Sequence, residues 1–343
     1  MRESAVQFAV VGIDHRHVYD LVGGMLAAGA HCVGYCEQSS DKRVAHGLAS
    51  RFPQLQAFAQ AQDLFSDPDV DVIVSAAIPA DRADIAVAAM RHGKDVLVDK
   101  PGVTTLTQLE AVRQAVVDTG RIFSICFTER FLVPAVQHAL ELVQAGAIGE
   151  PLHTLGMGPH RLNAAIRPDW FFKEDRCGGI LVDIASHQID QFLMFTGSRT
   201  AQIVHSHVGQ YDRKRLDSDF DDFGEIVLQT ERHRGYVRVD WFTPDGLPVW
   251  GDGRFFVTGT EGTLEIRKYL DIAGKPGGNH LFLADRQGTR YVNCDTMPLH
   301  FFTRFVADVQ ARSQTAMSQS HTLEVCALAL QAQAMARERS MLK

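Results

Sequence analysis

The sequence lacks an excess of positive charge, and this absence limits the partners that we expect. Its 34 lysine and arginine residues are outnumbered by 41 acidic residues, and both signs are spread along all 343 residues, with a formal net charge of -7. Nucleic acids and anionic membranes attract proteins with concentrated positive charge. We therefore expect neither kind of partner.

Long apolar segments and paired cysteines are missing as well. No stretch approaches the roughly 20 apolar residues of a transmembrane helix, and the N-terminus does not combine a basic segment, an apolar run and a cleavage site. The six cysteines are scattered without a Cys-x-x-Cys pair, which favours free thiols in a reducing compartment. These absences predict a soluble cytoplasmic protein, long enough for two domains and without internal repeats.

The first 126 residues alternate between short apolar runs and helical segments. The run Val6–Val11 ends at Gly12, a helical segment extends from about His17 to Ala28, and a second apolar run ends at Glu37. This order is typical of the βαβ unit that opens a dinucleotide-binding domain. Roughly six strands are expected before residue 127, in a doubly wound parallel sheet with helices on both faces.

Two features of this unit bear on the cofactor. Glu37 ends the second strand, where an acid accepts hydrogen bonds from ribose hydroxyls and repels a 2′-phosphate, so it favours NAD over NADP. Its alternative role is that of a helix cap or loop acid. The phosphate-binding pattern G-x-G-x-x-G appears as Gly12-Ile13-Asp14-His15-Arg16-His17, with only the first glycine present. Asp14 then brings a carboxylate towards the cofactor phosphates, unless His15 or Arg16 compensates its charge.

The spacing of His15 and His17 also occurs among metal ligands. The sequence offers no evident companion ligand for these two histidines. We therefore predict no metal site.

Two later segments carry candidate chemistry. Asp95–Gly102 has the pattern of a buried parallel strand that ends in Asp99 and Lys100, at the sheet edge where ligands bind. In the second segment, Gly178 to Asp190, Asp183 and His187 are four residues apart and would share one face of a helix. A neighbouring carboxylate fixes the tautomer of an imidazole and raises its pKa, which suits general acid/base chemistry. The alternative is a helix start at which the aspartate caps and the histidine packs.

The chain beyond residue 126 alternates differently, with strands separated by Gly, Pro, Asp and Asn as in an antiparallel sheet. Seven strands are expected, at Leu152–Met157, Ile203–Val208, Phe223–Gln229, Gly235–Phe242, Arg254–Gly259, Thr263–Lys268 and His280–Ala284. Two C-terminal helices, Leu299–Arg312 and Thr322–Arg339, are expected to pack on the body and can return to the first domain. Helices on one sheet face leave the other face open, which predicts a homodimer or homotetramer.

Polar and aromatic residues near these segments are weaker candidates for substrate contacts. They are Arg130, His160, Arg161, Arg167 and Trp170. Donors beside a tryptophan suit an oxygen-rich ligand, and the arginines suit a carboxylate. The alternative is a core or interface role, and for Glu129 and Arg130 an ion pair between the domains.

Taken together, the Asp99-Lys100-Pro101 turn and the Gly-Gly-x-x-x-Asp-x-x-x-His-x-x-Asp segment of residues 178–190 resemble the Gfo/Idh/MocA family of nicotinamide-dependent oxidoreductases. The resemblance covers essentially the whole chain. It implies a Rossmann-type domain over residues 1–126 and an α+β domain with a large, mostly antiparallel open sheet over residues 127–343. It also implies cofactor contacts at Gly12, Ile13, Asp14, His15, Glu37, Pro79, Asp99 and Lys100.

The resemblance further implies the chemistry. Lys100 would hydrogen-bond the reacting oxygen, His187 would exchange the hydroxyl proton, and Asp183 would orient His187 or bind a neighbouring hydroxyl. The expected enzyme is an NAD-dependent dehydrogenase acting on a carbinol carbon of a sugar, polyol or related compound. Two alternatives remain: an enzyme that oxidises its sugar only transiently, and a non-catalytic regulator that binds dinucleotide.

Overall fold

The computed structural model describes residues 5–212 and 220–341. The chain forms two compact units, each made of separate segments. The first contains Met1–Cys126, Pro168–Gly178 and His300–Cys326, and the second contains Phe127–Arg167, Gly179–Leu299 and Ala327–Lys343. The chain therefore crosses between the units several times. The sequence analysis places the boundary after residue 126 and allows the C-terminal helices to return to the first domain.

The strands of the described residues are, in chain order, Gln7–Ile13 (β1), His31–Cys36 (β2), Ala57–Phe58 (β3), Val72–Ala76 (β4), Asp95–Asp99 (β5), Phe123–Cys126 (β6), Pro151–Pro159 (β7), Gln202–Gly209 (β8), Phe223–Gln229 (β9), Arg234–Asp240 (β10), Arg254–Gly259 (β11), Gly262–Arg267 (β12), His280–Asp285 (β13) and Gly288–Asn293 (β14). The first six lie in one sheet and the other eight in a second.

The α-helices of the same residues are Val18–Ala27 (α1), Lys42–Arg51 (α2), Ala61–Ser66 (α3), Pro79–Arg91 (α4), Leu106–Thr119 (α5), Thr128–Phe131 (α6), Pro134–Gln144 (α7), Glu174–Cys177 (α8), Ser186–Thr196 (α9), Phe301–Ala311 (α10) and Gln319–Met341 (α11). In this described part of the chain, no helix is both long and apolar enough to cross a membrane.

The sheet of the first unit has the order β3-β2-β1-β4-β5-β6 with every pair parallel. All five residues of β4 and all five of β5 are buried, as expected for a parallel sheet covered on both faces. The strand order reverses between β1 and β4, and ligands of such sheets bind at the carboxyl ends beside that point. The predicted fold of this unit is confirmed.

The sheet of the second unit has the order β14-β13-β12-β11-β7-β10-β9-β8. Its pairs are antiparallel except for β7 and β10, which run parallel. One face packs on α7 and α9 through a core that includes Val136, Ala139, Phe195, Phe255 and Val257. The sequence analysis missed β14, because nearly all of its residues are exposed and they lack apolar alternation.

The segment that follows Gly178 departs from the expected regular helix. Residues Leu181–Ala185 form a π-helix that leads into α9. Gly179 has φ +83°, and a Cβ at this position would lie 2.6 Å from Cδ of Gln333. Asp183 therefore lies in a π-helical turn, and not in the regular α-helix that its spacing to His187 predicts. Single π-turns within helices occur frequently at functional sites.

Candidate functional site

The loop between β1 and α1 begins at Gly12, whose conformation permits only glycine. Its φ is +81°, and an added Cβ would lie 2.4 Å from Cβ of Ala77. The backbone amides of Asp14 and His15 both donate to the carbonyl oxygen of Ala76, at 3.1 and 2.9 Å. This loop is thus held against the carboxyl end of β4.

Asp14 uses its carboxylate to join three loops at this edge of the sheet. Its Oδ1 accepts hydrogen bonds from the Ser40 amide at 2.6 Å, the Ser40 hydroxyl at 2.7 Å and the Ser39 hydroxyl at 3.3 Å, and its Oδ2 accepts one from the Ile78 amide at 3.3 Å. These four donors come from the loops after β2 and β4, and neither His15 nor Arg16 is among them.

His15 and His17 instead share a different carboxylate, that of Asp99 at the end of β5. His15 Nδ1 lies 3.0 Å from Oδ2, and His17 Nδ1 lies 2.9 Å from Oδ1. Burial lowers the pKa of His15 to about 3, with help from His17 and against the pull of Asp99. Burial opposes the charge on Asp99, but His17 and Arg82 hold the pKa of this carboxyl well below its usual range. We therefore assign Asp99 as the anion and His15 as neutral.

Arg82, from α4, is the cation that neutralises Asp99. Its Nη2 donates to Asp99 Oδ2 at 3.0 Å, while Nη1 donates to the carbonyls of Asp99, Lys100 and Pro101 and Nε donates to that of Ala77. Its side chain is 1% exposed. One guanidinium therefore fixes the turn that carries Lys100. Sequence reasoning missed Arg82, although an arginine on a helix face that is otherwise apolar was a usable signal.

The three side chains around Asp99 also resemble a metal-binding cluster. His15, His17 and Asp99 each offer a ligand atom, and these atoms lie within 4.8 Å of one another. The sequence argument that the histidines lack a companion ligand is therefore wrong. Because Arg82 already pairs with the carboxylate, hydrogen bonds alone account for the arrangement.

The residues of this edge fit a bound dinucleotide. Gly12 gives the close approach that the fold requires. The N-cap residue of α1, His17, makes no capping hydrogen bond with its side chain, and the positive end of a helix suits a phosphate. Glu37 follows β2 and is exposed. Pro79 is buried as the first residue of α4, and Ile13 is fully buried in β1, so only its backbone is available.

In the second unit, His187 is nearly buried at the start of α9. It is 2% exposed, and its ring meets the edge of Phe127 with centroids 6.1 Å apart. Asp183 lies half-buried in the π-helical turn, with its amide donating to the carbonyl of Gly179. The amide of Leu181 donates to the side chain of Gln333, which ties α11 to the start of this turn.

A buried polar network lies next to His187. Glu129 Oε2 accepts from Lys268 Nζ at 2.5 Å and from Gln188 Nε2 at 2.9 Å, and all three side chains are 1% exposed or less. Burial acts to raise the pKa of Glu129, but Lys268, His187 and His160 together lower it to about 2. The interdomain ion pair expected for Glu129 is wrong, since Lys268 lies in the same unit. The sequence analysis did not identify Lys268 or Gln188.

The weaker substrate candidates are largely committed to local contacts. Arg130 pairs with the buried Asp190 at 2.8 Å, again within one unit. His160 lies against the rings of Trp250 and Trp241, with centroids 4.4 and 5.4 Å away. Arg161 donates to the carbonyls of Pro244 and Leu247. Arg167 donates to the carbonyl of Leu162 and lies over the ring of Trp241. Trp170, in the first unit, contacts the ring of Phe171.

Comparison with known families matches both parts of the chain. The profile of an oxidoreductase family with an NAD-binding Rossmann fold matches residues 6–127. The profile of the GFO/IDH/MocA C-terminal domain matches residues 136–265. The two matches fall on the regions that contain the two sheets.

Individual relatives agree with these matches. The crystal structure of a candidate oxidoreductase from Erwinia carotovora atroseptica is 41% identical, covers 96% of this chain and 98% of its own, and superimposes with a TM-score of 0.92. The scyllo-inositol 2-dehydrogenase (NAD(+)) of Bacillus subtilis is 24% identical over 94% of this chain and 92% of its own length. The levoglucosan dehydrogenase of Pseudarthrobacter phenanthrenivorans is 27% identical over 64% of this chain and 61% of its own.

Proposed function

Because the chain belongs to the GFO/IDH/MocA family of oxidoreductases, we propose that it is an NAD(H)-dependent dehydrogenase acting on a carbinol carbon of a sugar, polyol or related hydroxy compound. The observation that carries this proposal is the Asp99–Pro101 turn, which Arg82 holds at the carboxyl end of β5. The relatives named for scyllo-inositol and levoglucosan support the substrate class.

The bound nicotinamide supplies the hydride acceptor or donor. Lys100 donates a hydrogen bond to the reacting oxygen and stabilises the negative charge that develops there. Its backbone cannot shift freely, because its carbonyl and those of its two neighbours accept from one guanidinium. Fixed geometry of this kind lowers the cost of reaching the transition state.

His187 takes the hydroxyl proton during oxidation and returns it during reduction, and Asp183 orients the imidazole or binds a neighbouring substrate hydroxyl. A positioned acid/base of this type contributes roughly two to four powers of ten in rate. Burial supports this role, since a histidine with 2% exposure is shielded from competing water.

The cofactor preference rests on Glu37. Its exposed carboxylate at the end of β2 suits the ribose hydroxyls of NAD and opposes a 2′-phosphate. We also propose a cytoplasmic location, since all six cysteines are buried free thiols.

Two substitutions test the chemistry. We expect Lys100→Met and His187→Asn each to lower kcat for polyol oxidation by roughly one hundredfold or more, while NADH still quenches the tryptophan fluorescence. Ser50→Ala, at an exposed position on α2, is the control and should keep full activity. Near wild-type turnover in both active-site variants, on a confirmed substrate, would contradict the assignment.

We propose in addition that the protein is a homodimer or homotetramer joined through the open face of the eight-stranded sheet. The face opposite α7 and α9 carries half-buried side chains, among them Leu155, Tyr236, Phe256 and Phe282. Apolar area of this kind is typical of a surface that a second subunit covers.

A further inference from the structure

The loop after β2 contains donors suited to an anion, and both donors of Ser40 bond to Asp14. The Ser40 amide and hydroxyl donate to Oδ1 of Asp14 at 2.6 and 2.7 Å. The Ser39 hydroxyl lies 3.3 Å from the same oxygen and 2.9 Å from the carbonyl oxygen of Ile13. Backbone amides and serine hydroxyls from one loop are the usual ligands of a phosphate group. Here a carboxylate of the protein occupies the position of such an anion.

The position of this loop in the fold indicates which phosphate group its donors would bind. Ser39 and Ser40 are two and three residues beyond Glu37, the acid that ends β2. In dinucleotide-binding folds the ribose hydroxyls lie at that strand end, and NADP differs from NAD by a phosphate on the 2′ oxygen. The serine donors therefore belong to the surface that a 2′-phosphate would need.

The nearby cation, Arg43, is also paired with a carboxylate. Arginine near this strand end is the residue that accommodates a 2′-phosphate in NADP-dependent enzymes. Arg43 follows Ser40 by three residues, but its Nε donates to Asp41 Oδ1 at 3.0 Å and its Nη2 donates to Oδ2 at 2.8 Å. The carboxylates of Asp14 and Asp41 thus bond to the serine donors and to the arginine that would otherwise bind the phosphate.

We propose that Asp14 is a specificity-determining residue that excludes NADP by acting as a built-in anion on the Ser39–Ser40 loop. The inference rests on the proposed function, because it concerns the choice between two forms of that cofactor. A 2′-phosphate carries about two negative charges, so it would meet the charge of Asp14 and would find its donors already used. This explains why a loop that lacks the second glycine keeps an acidic side chain there.

The test measures dissociation constants for NADH and NADPH by quenching of tryptophan fluorescence. Asp14→Asn removes the charge and keeps the size of the side chain, so NADPH should bind about tenfold more tightly relative to NADH. Asp14→Ser is a second variant with the same expectation, in case the amide disturbs the loop. Adding Ser40→Ala to Asp14→Asn should reverse the gain, because it removes a donor to the 2′-phosphate.

The matched control is Asp63→Asn, since Asp63 is an exposed acid in the first turn of α3 and its loss changes the net charge equally. It should leave the ratio of the two constants unchanged. The inference is overturned if both Asp14 variants leave the ratio of the NADH and NADPH dissociation constants unchanged, or if they weaken the binding of both nucleotides equally. The proposed function still stands in that case, provided that the wild type binds NADH. Absence of dinucleotide binding to the wild type and to the variants overturns both.

Discussion

His15 is a neutral imidazole beside an anion, and this state follows from burial. The pKa of His15 is lowered from 6.5 to about 3, first by burial and then by His17. In the unfolded chain the same side chain is protonated below about pH 6.5. The unfolded state therefore binds the extra proton between pH 6.5 and 3, so stability is complete above pH 6.5 and falls as the pH decreases through this window.

This residue gives a pH prediction. Between pH 7 and pH 5, His15 should account for a loss of about 2 kcal/mol in the free energy of unfolding. His15→Asn keeps an N–H donor for Asp99 and cannot titrate, so its stability should fall less over this range. Urea unfolding followed by circular dichroism measures the difference, with exposed His46→Asn as control. The same pH dependence in His15→Asn and the wild type would contradict the assignment.

For single residues, the sequence predicts where a residue lies in the fold better than it predicts the residue's hydrogen-bond partners. The location of Lys100 after a buried strand and of Glu37 after β2 follow from strand patterns. The partners of His15 and Asp14 do not, because Asp99 is 84 residues from His15 and Ile78 is 64 residues from Asp14. Such pairs form only when parallel strands bring their carboxyl ends to one edge.

Among the structural elements, the turn after β5 offers the simplest test, because one residue, Arg82, holds it in place. Arg82→Met removes the guanidinium that binds three consecutive carbonyls and that pairs with the Asp99 carboxylate. Loss of one partner of a buried pair costs about 3–5 kcal/mol, so chemical unfolding should show a decrease of that size. Displacement of Lys100 should also lower kcat by about one hundredfold.

Two further variants complete this experiment. Arg91→Met, in the last turn of the same helix and exposed, should change stability by less than about 0.5 kcal/mol. Adding Asp99→Asn to Arg82→Met should restore part of the lost stability, since it removes the unpaired charge. A decrease no larger than that of Arg91→Met would show that Arg82 does not support the turn.

The elements themselves were predictable to different degrees. The bounds of β9 and β11 match the sequence prediction, because turn residues bracket their apolar patterns. The π-helical turn at Leu181–Ala185 was not predicted, since the spacing of Asp183 and His187 suits an α-helix and the extra residue depends on packing around Gly179 and Gln333.

For the whole molecule, the open sheet face gives a prediction about assembly. Phe256 alternates with the buried Phe255 and Val257 along β11, so it lies on the face away from α7 and α9. Phe256→Glu should convert an assembly of two or four chains into monomers of 37.9 kDa in sedimentation velocity. Val117→Glu, at a side chain 78% exposed on α5, should leave the assembly intact. A monomeric wild type at micromolar concentration would contradict the proposal.

The family and the two-sheet architecture could be inferred from the sequence because they depend on repeated patterns and two spaced motifs. The segments Pro168–Gly178 and His300–Cys326 return to the first unit, and the bounds of such returns could not be predicted, because only tertiary packing distinguishes the unit to which a helix belongs.

In the proposed reaction, hydride passes between a substrate carbinol carbon and the nicotinamide. In the most direct measurement, the protein is incubated with NAD and a panel of inositols, anhydrosugars and sugar acids that carry deuterium on their carbinol carbons. The mass of the NADH that forms is then measured by mass spectrometry. We predict NADH heavier by one mass unit from at least one substrate. NADH without deuterium, or no NADH from any member of the panel, would contradict it.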